Sequence, residues 1–301
     1  MVTKMTFLGT TAVVPTAERN HTAIFMQHDG ENILIDCGEG TQRQLRIAKI
    51  NPCSLTRLLI THWHGDHVLG LPGLFQTLAL NDYKKTLYIY GPKGTKEYVK
   101  ELFRVFVPLK KISVNVQEVN GKFLETKDFE ISSLPLIHGG APCNGYLFKE
   151  KDKLRIDKNK LKKLKISRED SVKLKNLTEG KNIIINKRII KSKDLTYKQL
   201  GKKIAFIFDT GNCKNANKLA KDCDLAIMDS TYDENEKELA DEYGHLTIKQ
   251  AGQIAKQSKV KKLILTHISQ RYEHKSDLLE KQAKKYFKDV TIAKDFMTVE
   301  I

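Results

Sequence analysis

Paired cysteines are missing from this chain of 301 residues. Its five cysteines (Cys37, Cys53, Cys143, Cys213 and Cys223) show no C-x-x-C or similar spacing. An odd count without paired spacing excludes a disulfide framework and predicts reduced thiols. Long apolar runs are missing too. No stretch reaches eighteen apolar residues, so no membrane-spanning helix and no membrane partner are expected. The opening Met1-Val2-Thr3-Lys4-Met5-Thr6-Phe7-Leu8-Gly9 turns polar too soon for a secretory signal, which predicts a cytoplasmic protein. No internal repeat is visible. Acidic charge is in deficit: the net charge is +16. The excess is local, because residues 149–203 hold 20 Lys+Arg against 7 Asp+Glu, a net of +13. A lysine-rich composition would spread its excess evenly. Concentrated charge favours a polyanionic partner, nucleic acid above all, over a merely solvated basic face.

Forty per cent hydrophobic residues suffice for a sizeable core. Several short apolar runs each end in a polar cluster. Asn32-Ile33-Leu34-Ile35 ends at Asp36-Cys37-Gly38, and Thr56-Arg57-Leu58-Leu59-Ile60 at Thr61-His62. Lys203-Ile204-Ala205-Phe206-Ile207-Phe208 ends at Asp209, Asp224-Leu225-Ala226-Ile227-Met228 at Asp229, and Lys262-Leu263-Ile264-Leu265 at Thr266-His267. Such runs predict buried strands whose polar ends converge on one rim of a sheet. Residues 41–49 and 248–258 carry helical spacing, the second with Ile248, Ala251 and Ala255 at i, i+3 and i+7. Alternation of the two predicts an α/β layered fold. Residues 150–200 differ, being lysine-rich and poor in apolar positions. Asp157 is placed to cap a short helix bearing Leu161, Leu164 and Ile166, and residues 181–190 predict a strand pair around a turn. This segment reads as an inserted basic arm that projects from a single domain spanning residues 1–301.

The chemistry concentrates in Thr61-His62-Trp63-His64-Gly65-Asp66-His67. Three histidines and an aspartate in one tight turn cannot all be satisfied in an apolar core, where each unpaired group costs about 1–3 kcal/mol. Imidazole and carboxylate are ligands suited to zinc, and manganese can fill the same set. One turn cannot complete two metal spheres. Candidate further ligands are His138, Asp209 and His267, each at the end of an apolar run. Singly, each is either a ligand or a satisfied structural polar group. Beside the first cluster, the ligand reading predominates. Asp209 can bridge through its two oxygens, with His62, His64 and His138 on one ion and Asp66, His67 and His267 on the other. Two ions about 3.5–4 Å apart clamp an in-line phosphoryl displacement.

His62-x-His64-x-Asp66-His67 resembles the signature of the metallo-β-lactamase superfamily. The blocks Asp36-Cys37-Gly38-Glu39-Gly40-Thr41-Gln42-Arg43-Gln44, Gly70-Leu71-Pro72-Gly73-Leu74, Tyr243-Gly244-His245-Leu246-Thr247 and Leu265-Thr266-His267-Ile268-Ser269-Gln270-Arg271-Tyr272 narrow the resemblance to the ribonuclease Z family, over about residues 7–272. It implies a four-layer αββα sandwich with a protruding basic arm. It implies two zinc ions per subunit on the seven ligands above, and a homodimer in which the arm of one subunit holds the tRNA elbow for the site of the other. The implied reaction removes the 3′ trailer from precursor tRNA, leaving a 3′-hydroxyl on the tRNA and a 5′-phosphate on the trailer. Asp66 resembles the family's general base and His245 its proton donor to the leaving oxygen, with Asp229 orienting that histidine. Read without the family, His245 is a polar neighbour of a helix N-terminus.

The chain departs from the family at three points. Residues 166–170 at the arm's tip hold no proline, Cys143 stands where serine is usual, and Phe208 precedes Asp209 where glycine is usual. Two other functions fit the scaffold: hydrolysis of a small phosphodiester or other ester, and a non-catalytic RNA-binding role. The basic arm argues against the first and the complete ligand set against the second.

Overall fold

The computed structural model describes residues 2–106, 111–162, 164, 170–185 and 188–301. The chain divides into two compact units. The larger comprises Met1–Glu125, Ile131–Phe148 and Lys203–Ile301, and the smaller Thr126–Glu130 and Lys149–Lys202.

Two seven-stranded sheets organise the larger unit. The first runs, in spatial order, Thr298–Glu300, Lys4–Gly9, Ala23–His28, Glu31–Ile35, Arg57–Leu59, Thr86–Gly91 and Ser113–Glu118. The second runs Val290–Ile292, Lys262–Thr266, Leu225–Asp229, Lys203–Ile207, Ala141–Glu150, Phe129–His138 and Gly121–Glu125. All five strands expected from apolar runs form, within a residue or two of the expected ends. They are continuous apolar runs because both faces are covered. In the first sheet Leu34, Leu58 and Ile89 pack on helices Thr41–Ile47, Leu71–Leu80 and Thr95–Phe106, while Ile33, Ile35 and Leu59 on the opposite face are equally buried. In the second, Ala205, Ile207, Ala226, Met228, Leu263 and Leu265 pack on helices Lys214–Ala220, Ile248–Gln257 and Ser276–Ala283. Full burial of each such leucine or isoleucine contributes about 1.5–3 kcal/mol. The Tyr146 hydroxyl, from the second sheet, donates to the Ile60 carbonyl at the end of the first, at 2.6 Å. The layers are helix, sheet, sheet, helix.

Register brings the chemistry to one rim. In the second sheet Lys203–Ile207, Leu225–Asp229 and Lys262–Thr266 are parallel, with Ile207 opposite Met228 and Asp229 opposite Thr266. The C-terminal ends are therefore level, and Asp209, Asp229 and His267 leave the sheet side by side. In the first sheet Ile35 lies opposite Leu59, so Asp36 and Thr61-His62 leave together. Ligands sit at C-terminal strand ends in this way wherever parallel strands feed loops outward.

The smaller unit has its own small core of Leu177, Ile183, Ile185 and Leu195. Lys153–Ile156 pairs antiparallel with Thr196–Gln199, and Ile183–Ile185 with Arg188–Ile190. The expected strand pair is present, while its turn at residues 186–187 lies outside the described residues. The Asp157 carboxylate accepts the Asn159 and Lys160 amides at 2.9 and 3.1 Å and caps helix Lys158–Lys162. Leu161 is half-buried, and Leu164 is exposed. Ile166 and the proline-free stretch at residues 166–169 lie outside the described residues.

Candidate metal centre

The turn after strand Arg57–Leu59 places its polar side chains by backbone geometry. His64 is extended, with ψ 153°, and opens the single-turn helix Gly65–Val68, which aims Asp66 and His67 inward. Gly38 lets the turn at the end of Glu31–Ile35 press against this loop. A Cβ there would lie 2.3 Å from the Asp66 carbonyl oxygen. Asp36, Asp209 and His267 all take left-handed backbone angles, with φ of 57°, 42° and 59°. Non-glycine residues adopt that region at a cost, and such residues concentrate at functional sites.

The seven expected ligands meet. One donor from each of His62, His64 and His138 lies within 4.8 Å of the others, as does one from each of Asp66, His67, Asp209 and His267. The group Asp209, Asp229, His245 and His267 meets the same limit. All these side chains are buried except that of His64, which faces solvent and marks the open side.

Hydrogen bonds behind the cluster settle which nitrogens carry protons. His67 Nδ1–H donates to Asp36 at 2.8 Å, and His138 Nδ1–H to the Gly244 carbonyl at 3.0 Å. The Thr61 hydroxyl donates to Asp36 at 2.7 Å, so at 3.1 Å it accepts from His62 Nδ1–H. The Thr231 hydroxyl likewise donates to Asp229 at 2.6 Å and accepts from His267 Nδ1–H at 2.9 Å. In the neutral rings, Nε2 of His62, His67, His138 and His267 is then a bare lone pair. All four point at Asp209 Oδ2, at 3.6, 3.3, 3.8 and 3.3 Å. His67 Nε2 and His267 Nε2 are only 3.2 Å apart. Among the described residues, His62 Nε2 and Asp209 Oδ1 are buried without any hydrogen-bond partner.

Lone pairs and carboxylate oxygens facing one another at these distances repel unless positive charge lies between them. The proton affinities say the same. Burial opposes charge on His267, yet Asp209, Asp229 and Asp66 outweigh it and lift its pKa to about 10. Burial opposes charge on His67 as well, and Asp209, Asp66 and Asp36 overcome it. Asp66 and Asp209 are held far below the usual carboxylate range by His67 and His267 despite their burial. Oriented imidazoles and carboxylates fit a divalent cation better than they fit trapped protons.

His245 sits beside the cluster. Its ring stacks on His267 with centroids 5.3 Å apart and lies 4.9 Å from His138. Its Nδ1–H donates to Asp229 Oδ2 at 3.0 Å, leaving Nε2 uncommitted. Burial disfavours the charged ring, but the Asp229 carboxylate outweighs it and raises the pKa. Asp229 in turn accepts the Thr231 amide at 2.8 Å and the Leu246 amide at 3.2 Å. Cys143 donates through sulfur to the Asp209 carbonyl at 3.5 Å.

Asp36, Thr61, Thr231 and the Gly244 carbonyl were not expected from sequence. Asp36 and Thr61 each end an apolar run just as Asp209 does, but nothing in the sequence marked them as partners of the ligands.

Models of two families match the chain: the metallo-beta-lactamase superfamily over residues 16–153, and the beta-lactamase superfamily domain over residues 195–268. The ribonuclease Z of Methanothermobacter thermautotrophicus is 36% identical over 300 residues, covering 99% of this chain and 96% of the relative. That of Pyrococcus horikoshii is 41% identical over 272 residues, covering 89% and 87%. Among solved structures, the short form of human tRNase Z superposes with a TM-score of 0.70 at 25% identity, covering 98% of each chain. The metallo-beta-lactamase fold protein YhfI of Bacillus subtilis gives 0.72 at 20% identity, covering 100% and 99%, a likeness of fold alone.

Proposed function

The chain belongs to the ribonuclease Z family within the metallo-beta-lactamase superfamily, endoribonucleases that hydrolyse phosphodiester bonds, and from that premise we propose that it removes the 3′ trailer of precursor tRNA. One observation supports this above the rest: four imidazole Nε2 atoms and two carboxylates converge, and a further imidazole stands beside them with its own carboxylate. A metallo-hydrolase acting on an ester with a good leaving group has no need of that last pair. A ribose 3′ oxygen is a poor leaving group and needs a proton.

His62, His64 and His138 would hold one zinc ion, and Asp66, His67 and His267 a second, with Asp209 shared. Manganese suits the same donors. The metals would supply Lewis-acid stabilisation of the phosphoryl oxygens and lower the pKa of the attacking water. The protein's own groups move the protons. Asp66 accepts the proton of the water that attacks phosphorus, and the Val13 amide donates to its Oδ2 at 2.9 Å and holds it in place. The P–O3′ bond breaks, and His245 Nε2 gives its proton to the departing oxygen. Asp229 keeps that ring charged and turned. The tRNA keeps a 3′-hydroxyl and the trailer a 5′-phosphate.

The lysine-rich residues 149–202 serve as the tRNA-binding arm, through phosphate contacts that carry no base specificity. Among the described residues no helix is long and apolar enough to cross a membrane, and the proposed place of action is the cytoplasm. A homodimer with arm and site on different subunits completes the reading.

End-mapping of products from a precursor-tRNA transcript tests it. One cut on the 3′ side is expected, with a 3′-hydroxyl on the tRNA. Chelator should abolish it and added zinc restore it. Chelator-resistant cleavage, or a 3′-phosphate on the tRNA, would overturn the assignment.

A further inference from the structure

A cleft of about 390 Å³ opens beside the chain segment that follows the ligand loop, and it holds no catalytic group. Leu69 and Gly70, two and three residues past His67, line one side. Arg43 and Arg46 of helix Thr41–Ile47 line the other. The floor is backbone tied to the ligand loop. The Cys37 amide donates to the His67 carbonyl at 2.8 Å, and the Gly70 amide to the Cys37 carbonyl at 2.9 Å. Gly70 is required there, because a Cβ would lie 2.1 Å from the Gly38 carbonyl oxygen. A shift of this floor would shift His67.

Both guanidinium groups are exposed, and their i, i+3 spacing puts them on one face. Among the described residues neither forms an ion pair with an acid, whereas Arg57, Arg104 and Arg271 each do. Two unneutralised planar forks, on a wall anchored to the metal loop, suit phosphodiester oxygens, which they bind in bidentate fashion. The cleft supplies no carboxylate and no aromatic ring to read a base. We infer that Arg43 and Arg46 grip the sugar–phosphate backbone of the RNA substrate beside the scissile bond, apart from the basic segment at residues 149–203. The inference rests on the ribonuclease reading above. It adds a second electrostatic grip, near the cut, that holds the register of the strand on the metals.

The test compares the wild type with the double variants Arg43→Gln/Arg46→Gln and Arg43→Lys/Arg46→Lys. The substrates are a precursor-tRNA transcript and bis(p-nitrophenyl) phosphate, which needs the metals but not the cleft. For the glutamine pair, KM on precursor tRNA should rise about tenfold or more at 0.15 M salt. The slope of log KM against log salt should fall by about two, one for each phosphate that is no longer neutralised. The lysine pair should keep the wild-type slope. An unchanged KM and slope in the glutamine pair, beside active wild type, would overturn the inference. So would an equal loss on both substrates, which would mean that the helix merely supports the site. Wild type that cleaves no precursor tRNA would overturn the functional reading and this inference together.

Discussion

A threonine at each side of the centre does what neither histidine nor aspartate could do alone. Thr231 donates its hydroxyl proton to Asp229 and accepts the Nδ1 proton of His267, while His245 Nδ1 lies 3.2 Å from the same oxygen. It thereby sets the tautomer of a proposed ligand and steadies the proposed proton donor. Thr61 plays the matching part for His62 and Asp36. Groups behind a ligand commonly change metal affinity about 10–100-fold. Thr231→Val keeps the shape and removes the hydroxyl, so zinc affinity measured by chelator competition should fall by about that factor. Thr231→Ser should restore most of it. Valine with unaltered affinity would show that the hydroxyl has no hold on the metal. The proposed ligands were legible in sequence because four crowd into six positions and three end apolar runs. Thr61 and Thr231 were not, because their meaning lies in hydrogen bonds made across 25 and 36 residues, Thr61 to Asp36 and Thr231 to His267.

At the scale of elements, legibility followed burial. Strands covered on both faces, such as Lys203–Ile207 and Leu225–Asp229, are unbroken apolar runs and were expected. Ser113–Glu118 and Gly121–Glu125, at the outer edges of the two sheets, bury little of either face, so neither is an unbroken apolar run and neither was expected. Helix Ile248–Gln257 was expected from its apolar stripe. What fixes its start is a reciprocal cap: the Thr247 hydroxyl accepts the Gln250 amide at 3.2 Å, and the Gln250 side chain accepts the Thr247 amide at 2.8 Å. This cap lies two residues past His245 and so anchors the loop that carries it. Thr247→Ala should cost about 1 kcal/mol in chemical denaturation. Thr247→Ser should cost much less. Equal stability of wild type and the alanine variant would mean that packing of Ile248 and Ala251 sets the helix start unaided.

Charge belongs to the molecule as a whole. Most of the net +16, a net of +13, sits in residues 149–203, and those residues fall in the smaller unit but for the last. That unit has its own small core of Leu177, Ile183, Ile185 and Leu195. Removing it should therefore leave the metal centre folded. The ladder of the unit makes the excision feasible, since Leu154 pairs with Lys198 and Arg155 with Tyr197. The ends left by deleting residues 155–195 are close, and a short glycine-serine turn can join them at little entropic cost. The deleted chain should bind zinc and hydrolyse bis(p-nitrophenyl) phosphate near the wild-type rate. Its kcat/KM on precursor tRNA should drop by at least about a hundredfold at physiological salt, because several phosphate contacts disappear at once. The residual activity should depend less steeply on salt, since Arg43 and Arg46 would then carry the electrostatic attraction alone. Loss of both activities in parallel would instead make the basic segment a support of the active site, and its charge would need a different explanation.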